Sequence, residues 1–577
     1  MRFLSRRSSL FALLSCLACA LAAPYLLPVD PDSMVFRSGA LPLILTLSAF
    51  FPLREAFGKA DRRTLTGGLV FGLLLSIALS LGAELTCYDG FLPGLGSMLR
   101  RAAVPVLATP LLGGLAARCM MMKPTAQGRE TPLLPWAGLL FLCWLPVLLA
   151  YWPGMLNYDF AGEYAQHADG YSTIHPMLHS FLQNTILGIG EKLGSLNGGL
   201  LALSLLQMGV FALALGRACQ AAARRAGLIA GVLLLLLFGL HPVFSTLSCS
   251  MTKDTFFAAA VLTLSLDMLE LLTGERQVSC GLIVRFVLCI IAIAGMRTNG
   301  FVVLLALPFF IAAQKPHKAA LLLSAGGCAA ALAVNFALTL ILNPASFPSF
   351  QFYSIPAQQL VRANAAGTLT EDQAAELRSW YTDEAGLVVH PHLADPAKGY
   401  LDRDRLQREG SRFLSLWADA AKTSLVPYTE AFLMLNIGSW YPDDKSHSTI
   451  YPDVSWNDKG YLQTQELEIE GFHTTSLLPA LKKLMERICR RNEYQKYPVI
   501  SLLFSPAVYF FMLLFSAILL IIRGKKRLLP AMLGVFFLWA SYLLGPCTLA
   551  RYMLPVFCLA PVMLITALAE SSRSDRK

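Results

Sequence analysis

The sequence predicts an all-α polytopic membrane protein with about 14 transmembrane helices and a mainly helical extracytoplasmic domain. Three observations carry this reading. Of 577 residues, 55% are hydrophobic and only 15% charged, where a soluble chain averages about 25% charged. The mean hydropathy is +0.55. Apolar stretches that suit a helix of ~20 residues, the length that crosses ~30 Å of hydrocarbon, recur near 8–28, 38–54, 66–86, 102–118, 133–151, 197–216, 228–247, 254–272, 282–296, 300–314, 319–342, 499–522, 528–545 and 552–569. Finally, lysine and arginine alternate between the connecting loops as the positive-inside rule requires. This composition excludes a soluble globular enzyme, a disordered chain and a collagen-like rod. The net charge of +10 does not mark a nucleic-acid binder, because the basic residues are not pooled on one domain.

Taken in order, residues 1–132 form an accessory region of four spans with short loops and read as scaffold. Its first 23 residues have a basic start, an apolar run and Ala20-Leu21-Ala22-Ala23, so a cleaved signal peptide competes with an uncleaved first span, which is preferred. Residues 133–342 hold seven spans with a long first outer loop, 152–196; the pair 282–296 and 300–314 is short. Residues 343–498 form an outer domain with 16 basic and 20 acidic residues and helical stretches at 370–380, 400–421 and 476–491, and the segment is long enough to bury its own core. Residues 499–577 add three spans and a cytoplasmic tail.

With Arg2, Arg6 and Arg7 inside, the short inner segments carry 24 Lys and Arg against seven in the short outer loops. Both termini are therefore expected in the cytoplasm, with 343–498 outside. One stretch opposes the bias: Lys482, Lys483, Arg487, Arg490, Arg491 and Lys496 fall on the outer side. They suit either a basic amphipathic helix on anionic headgroups or a grip on a lipid phosphate.

Most of the 13 cysteines lie in apolar spans, and the outer domain has only Cys489, so no disulfide framework is expected. No Cys-x-x-Cys metal site, phosphate-binding glycine loop, zincin motif or internal repeat is read, which leaves a nucleotide-driven pump unsupported.

The unusual polar residues gather at the outer face. The loop after the fifth span carries Trp152-Pro153-Gly154, then Asn157, Asp159, Glu163, His167, His175 and His179. Asp159 follows the span closely, where a carboxylate can take a proton from a hydroxyl nucleophile or bind a cation; a solvated loop acid is the plainer alternative. His175 and His179 share a helix face. No motif demands a cofactor. A divalent cation on these histidines stays open beside hydrogen bonding or substrate contact.

Lys253-Asp254 opens the eighth span, where Asp254 suits a helix cap or a substrate contact. Lys253 opposes the charge bias of its short outer loop. Arg297-Thr298-Asn299-Gly300 makes a tight turn, and Arg551-Tyr552 starts the last span. Each arginine suits either phosphate pairing or snorkelling. A carboxylate with three separate cations is equipment for a substrate that carries a phosphate and for a hydroxyl to be activated. A lipid-linked phosphosugar has these properties.

Several runs carry a resemblance: Tyr151-Trp152-Pro153-Gly154-Met155-Leu156-Asn157-Tyr158-Asp159, His175-Pro176 with His179, Lys253-Asp254-Thr255, Arg297 to Gly300, Ser354-Ile355-Pro356-Ala357-Gln358-Gln359 and Trp440-Tyr441-Pro442. In this order they resemble an uncharacterised bacterial family of multi-pass membrane proteins, itself similar to the GT-C glycosyltransferases. The similarity covers roughly 133–570 and leaves out the four N-terminal spans. The resemblance implies that 133–342 is a GT-C-like seven-span core with Asp159 as catalytic acid of its first outer loop. It implies a polyprenyl-phosphate sugar donor whose departing phosphate is met by Lys253, Arg297 or Arg551. Glu163, His167, His175, His179, Asp254 and Asn299 would serve the acceptor or support the site, and the outer domain would help bind an envelope glycan, lipid or protein acceptor. Phe160 follows Asp159 where many GT-C loops carry a second acid, which puts metal dependence in doubt. The rival reading is a transporter or flippase of a lipid-linked glycan, with the same binding groups and no chemistry.

Overall fold

The computed structural model describes residues 2–26, 40–122, 128–346, 350–445, 462–463, 468–469, 472–489 and 491–570. The described residues are mostly helical. Among the described residues, the strands are Leu462–Gln463 and Glu468–Ile469, which pair antiparallel.

Seven helices are long and apolar enough to cross a membrane: Arg7–Tyr25, Arg62–Tyr88, Leu95–Met120, Leu133–Ala150, Leu196–Ala226, Lys253–Thr273 and His317–Leu342. Two bent pairs, Ala40–Ser48 with Phe50–Lys59 and Leu228–Leu240 with Pro242–Cys249, raise the number to nine. The five other segments expected to span form shorter helices at Cys280–Met296, Phe301–Ala313, Pro506–Ile522, Pro530–Tyr542 and Leu554–Ala569. At ~1.5 Å per residue the longest of these reaches about 26 Å, so length alone does not carry the count to fourteen. Prolines set several of these boundaries: Pro506 and Pro530 open their helices, where a missing amide proton costs nothing. Pro242 explains the 59° bend, and His241 caps the second half by accepting from the Val243 amide at 3.2 Å.

The centre of the molecule is the helix Lys253–Thr273, in which every residue from Asp254 to Leu272 is buried. Leu196–Ala226, Cys280–Met296, Pro530–Tyr542 and Leu554–Ala569 pack around it. A helix enclosed on all sides has no lipid face, which is why its sequence shows little amphipathic pattern. The N-terminal region is joined to the C-terminal one. Its helices Arg62–Tyr88 and Leu95–Met120 touch through glycines, and a Cβ on Gly72 would stand 2.3 Å from the Gly113 nitrogen. Phe71 meets Phe511 and Phe515 edge-on at 6.1 and 5.4 Å.

The helical stretches expected in the outer domain appear as Glu371–Ser379, Arg403–Ala420 and Pro479–Cys489, joined by Ser354–Ala365 and Leu425–Leu435. Leu360, Leu377, Trp380, Phe413, Leu416 and Tyr428 make a separate core. The domain is fastened at two places. Glu430 accepts from the Phe91 amide at 2.7 Å and pairs with Arg362. The Asn436 amide group donates to the Leu543 carbonyl at 3.0 Å, and Trp539 Nε1 to the Ser439 carbonyl at 3.1 Å. This second fastening lies just before Arg551 in the chain.

Candidate functional site

The site is built at the Lys253 end of the central helix. The chain after Leu133–Ala150 turns through Gly154, where a Cβ would come within 2.3 Å of Ser204 Oγ. Met155 then pairs with the strand-like entry to the central helix: its amide donates to the Cys249 carbonyl at 3.0 Å, and the Met251 amide donates to Met155 at 2.7 Å. Asn157 caps the helix Tyr158–Asp169 by accepting from the Asp159 amide at 3.0 Å. Asp159 and Glu163 stand four residues apart, hence on one helix face. Phe160 packs edge-on against Phe472 at 5.4 Å, and the Thr475 amide donates to Trp152 at 2.9 Å. The segment 472–475 so holds the loop in place.

The candidate residues form one linked network. Lys253 Nζ lies 2.8 Å from Asp159 Oδ2 and 3.3 Å from Glu163 Oε1. Arg551 Nη1 donates to Asp159 Oδ2 at 3.0 Å and to Asn157 Oδ1 at 3.1 Å, and lies 3.8 Å from Asp254 Oδ2. Arg297 pairs with Asp254 and lies over the rings of Tyr552, Tyr542 and Phe257 at 4.7, 5.4 and 5.8 Å. Asn299 accepts from Arg297 Nε at 3.3 Å and donates to Ser541 Oγ at 3.1 Å. His179, buried on the helix Met177–Lys192, has Nδ1 2.5 Å from Glu163 Oε2, and His175 Nδ1 lies 3.6 Å from Glu163 Oε1. Three cations thus face three carboxylates. Burying such charges is costly unless each is paired, and here each is.

The structure brings together Asp159, Glu163, His175, His179, Lys253, Asp254, Arg297, Asn299 and Arg551. The His167 side chain lies outside the described ones. One expectation is corrected. Asp254 is not the helix cap: Thr252 is, accepting from the Asp254 amide at 3.3 Å and donating its own hydroxyl proton to Asp254 Oδ2 at 2.9 Å. Asp254 is left free to hold arginines because a threonine precedes Lys253. That Thr252 position was the readable signal for the cap. Nothing local announces Tyr542, which reaches Arg297 from a distant helix. The basic helix Pro479–Cys489 turns Met485 and Cys489 inward, sets Lys482 over the Tyr151 ring at 5.7 Å and pairs Arg487 with Glu493 at 2.7 Å. Among the described residues, none of its cations pairs with Asp159, Glu163 or Asp254.

The electrostatics follow from these contacts. Burial works against ionisation of Asp159, but Lys253 and Arg551 outweigh it and hold its carboxyl well below the ordinary carboxylate range. Glu163 is likewise ionised: burial opposes, while His179 and Lys253 prevail. An ionised Glu163 beside His179 Nδ1 requires the proton to sit on that nitrogen. His175 moves the other way. Burial lowers it from its ordinary 6.5 more than Glu163 raises it. A lowered histidine pKa means that folding favours the neutral ring. Its contribution is complete above the unfolded value and is lost as pH falls toward the folded one. The wild-type melting temperature is therefore expected to drop more between pH 7 and pH 5 than that of His175→Gln. Parallel curves for the two proteins would contradict the assignment.

The arrangement also tests the fit of a metal ion. The space between Asp159 and Glu163 is taken by the Lys253 ammonium, and His179 directs a proton, not a lone pair, at Glu163. Among the described residues, no three His, Cys, Asp or Glu side chains are grouped so as to hold a metal. As paired here, the described residues of the site do not fit a divalent cation.

A family model matches residues 166–577, well over half of the chain. The chain belongs to this family, described as "Family of unknown function (DUF6020)". The match takes in His175, His179, Lys253, Asp254, Arg297, Asn299 and Arg551, and begins after Asp159 and Glu163. No curated protein and no solved structure matches the chain.

Proposed function

We propose that the protein is a membrane glycosyltransferase of GT-C type that moves a sugar from a polyprenyl-phosphate donor to an envelope glycan, lipid or protein acceptor at the outer face of the membrane. In this reading the fourteen helical segments all cross or enter the bilayer, both termini are cytoplasmic, and 343–498 is extracytoplasmic. One observation carries the proposal. Asp159 is the most open carboxylate of its network, 28% exposed against 1% for Glu163 and Asp254, and it sits between two cations.

The chemistry is an inverting displacement. The acceptor hydroxyl attacks the anomeric carbon, and a new carbon–oxygen bond forms there. The bond from that carbon to the phosphate oxygen breaks, and the lipid phosphate leaves with the electron pair. The hydroxyl proton passes to Asp159. With Arg297 as a third cation, Lys253 and Arg551 meet the departing phosphate, and preorganised cations of this kind supply the largest part of such stabilisation. The same two cations make Asp159 a poor base at rest. Donor phosphate competes for them, loosens their hold and raises the basicity of Asp159 when a substrate is present. Glu163, His179 and Asn157 hold Lys253 and Arg551 in position.

A deletion strain is expected to lack one sugar of its envelope glycan and to accumulate the matching polyprenyl-phosphate sugar in the outer leaflet. Accumulation confined to the inner leaflet would instead identify a transporter of the lipid-linked glycan. Because Lys253 supplies the positive charge between Asp159 and Glu163, transfer by the purified protein is expected to be unchanged by EDTA. Activity lost on chelation and regained with magnesium or manganese would contradict that role for Lys253.

A further inference from the structure

The central helix carries a second charged cluster at its other end. Asp267 lies 14 residues beyond Lys253, about 21 Å along the helix. Arg217 Nη2 lies 2.8 Å from Asp267 and 3.1 Å from Glu270. Arg285 grips Asp267 through Nε and Nη2, at 3.0 and 2.6 Å. Arg224 and Arg276 reach Glu270 at 2.7 and 3.2 Å. Arg224 and Arg225 reach Glu275 at 3.2 and 2.7 Å. Five guanidinium groups therefore share three carboxylates. Among the described residues, the other acids nearby do not close the gap. Glu130 is 3.9 Å from Arg224 but 74% exposed, and Glu570 is matched by Lys525 at 2.7 Å.

Part of this cluster is buried. The side chains of Arg217 and Arg225 are 8% and 7% exposed. Among the described residues, Arg217 Nη1 and Arg225 Nε and Nη1 have no hydrogen-bond acceptor, while Arg224 Nε and Arg225 Nη2 meet Glu275 as ion pairs at 3.2 and 2.7 Å. Buried guanidinium donors left open in a net-positive cluster are unfavourable unless an anion completes them. Planar guanidinium forks arriving from different helices match an oxyanion with several acceptor oxygens. Arg285 and Arg276, 30% and 41% exposed, mark the open side.

We propose that this cluster binds a phosphate group, and that an anionic phospholipid headgroup at the membrane boundary supplies it. Basic pockets between helix ends are suited to such headgroups. The proposal is independent of the chemistry at the Lys253 end.

The test uses the full chain in neutral detergent, with native mass spectrometry and thermal melting. The probes are phosphatidylglycerol, phosphatidylcholine and inorganic phosphate. Phosphatidylglycerol is expected to bind and raise the melting temperature, phosphatidylcholine to do neither, and the affinity for phosphatidylglycerol to fall at least tenfold in Arg225→Gln. Arg225→Lys keeps the charge and loses the fork, so it should fold normally and still bind severalfold more weakly. Protection by inorganic phosphate without lipid retention would support the phosphate site with a soluble source. The proposal is overturned if neither phosphate source binds, or if both variants bind as the wild type does.

Discussion

Asp159→Asn is expected to lower transfer turnover by about 10²–10⁴-fold, the range for losing a positioned general base, while the protein reaches wild-type abundance. The second half of this expectation is as specific as the first. Losing the Asp159 charge strands neither cation. Lys253 keeps Glu163 at 3.3 Å, and Arg551 keeps Asn157 at 3.1 Å and Asp254 at 3.8 Å. The asparagine preserves the shape of the side chain and its place beside the helix cap. Single-turnover transfer from a polyprenyl-phosphate sugar, set beside size-exclusion profiles, separates turnover from folding. A variant that folds, inserts and transfers at the wild-type rate would remove Asp159 from the mechanism. The pH dependence gives a second check. In the free protein Asp159 is held ionised by Lys253 and Arg551, so its acid limb in kcat/KM falls below the ordinary value of 3.8. With donor bound, phosphate shares those cations and the corresponding limb in kcat moves upward.

The site was legible because its residues are out of place. Lys253, Arg297 and Arg551 stand on the side that the charge bias assigns to few cations, and Asp159 follows an apolar span by a few residues. Their meeting in space was implied by sidedness alone. Their pairings were not, because Lys253 reaches Asp159 across 94 residues and Arg551 reaches it across 392. No local pattern says that Lys253 bridges two carboxylates or that Asp254 belongs to Arg297. The opposite end was misjudged for a related reason. Arg217, Arg224 and Arg285 count toward the positive-inside tally, which treats them as facing water. The overlooked signal was Asp267 and Glu270, two acids within an apolar run at 254–272, where ionisable residues are expensive and need partners. Each apolar stretch holds helix, but seven to nine of the fourteen are long and apolar enough to span a membrane. Their lengths were less legible, since Pro506 and Pro530 set helix starts that an averaging window passes over.

Asp254 should behave unlike Asp159, although both are carboxylates of one network. Asp254→Ala is expected to destabilise the fold by about 3–5 kcal/mol, the usual cost of breaking a buried ion pair by removing one partner. Asp254 is 1% exposed and Arg297 11%. Without Asp254, Arg297 keeps only aromatic rings and the Asn299 amide oxygen, none of which carries a full negative charge. Removing the stranded charge as well should recover much of the loss, because an apolar replacement of both partners is often close to neutral. The double variant Asp254→Ala with Arg297→Met is therefore expected to melt above Asp254→Ala alone, a coupling that a double-mutant cycle measures directly. The double variant should still transfer poorly, since it lacks a cation for the departing phosphate. Recovery of stability without recovery of turnover would separate the two duties of Arg297, pairing with Asp254 in the resting fold and meeting phosphate in the reaction. If Asp254→Ala melts with the wild type, the pair contributes nothing to folding, and Asp254 belongs with Asp159 among the groups that face the substrate.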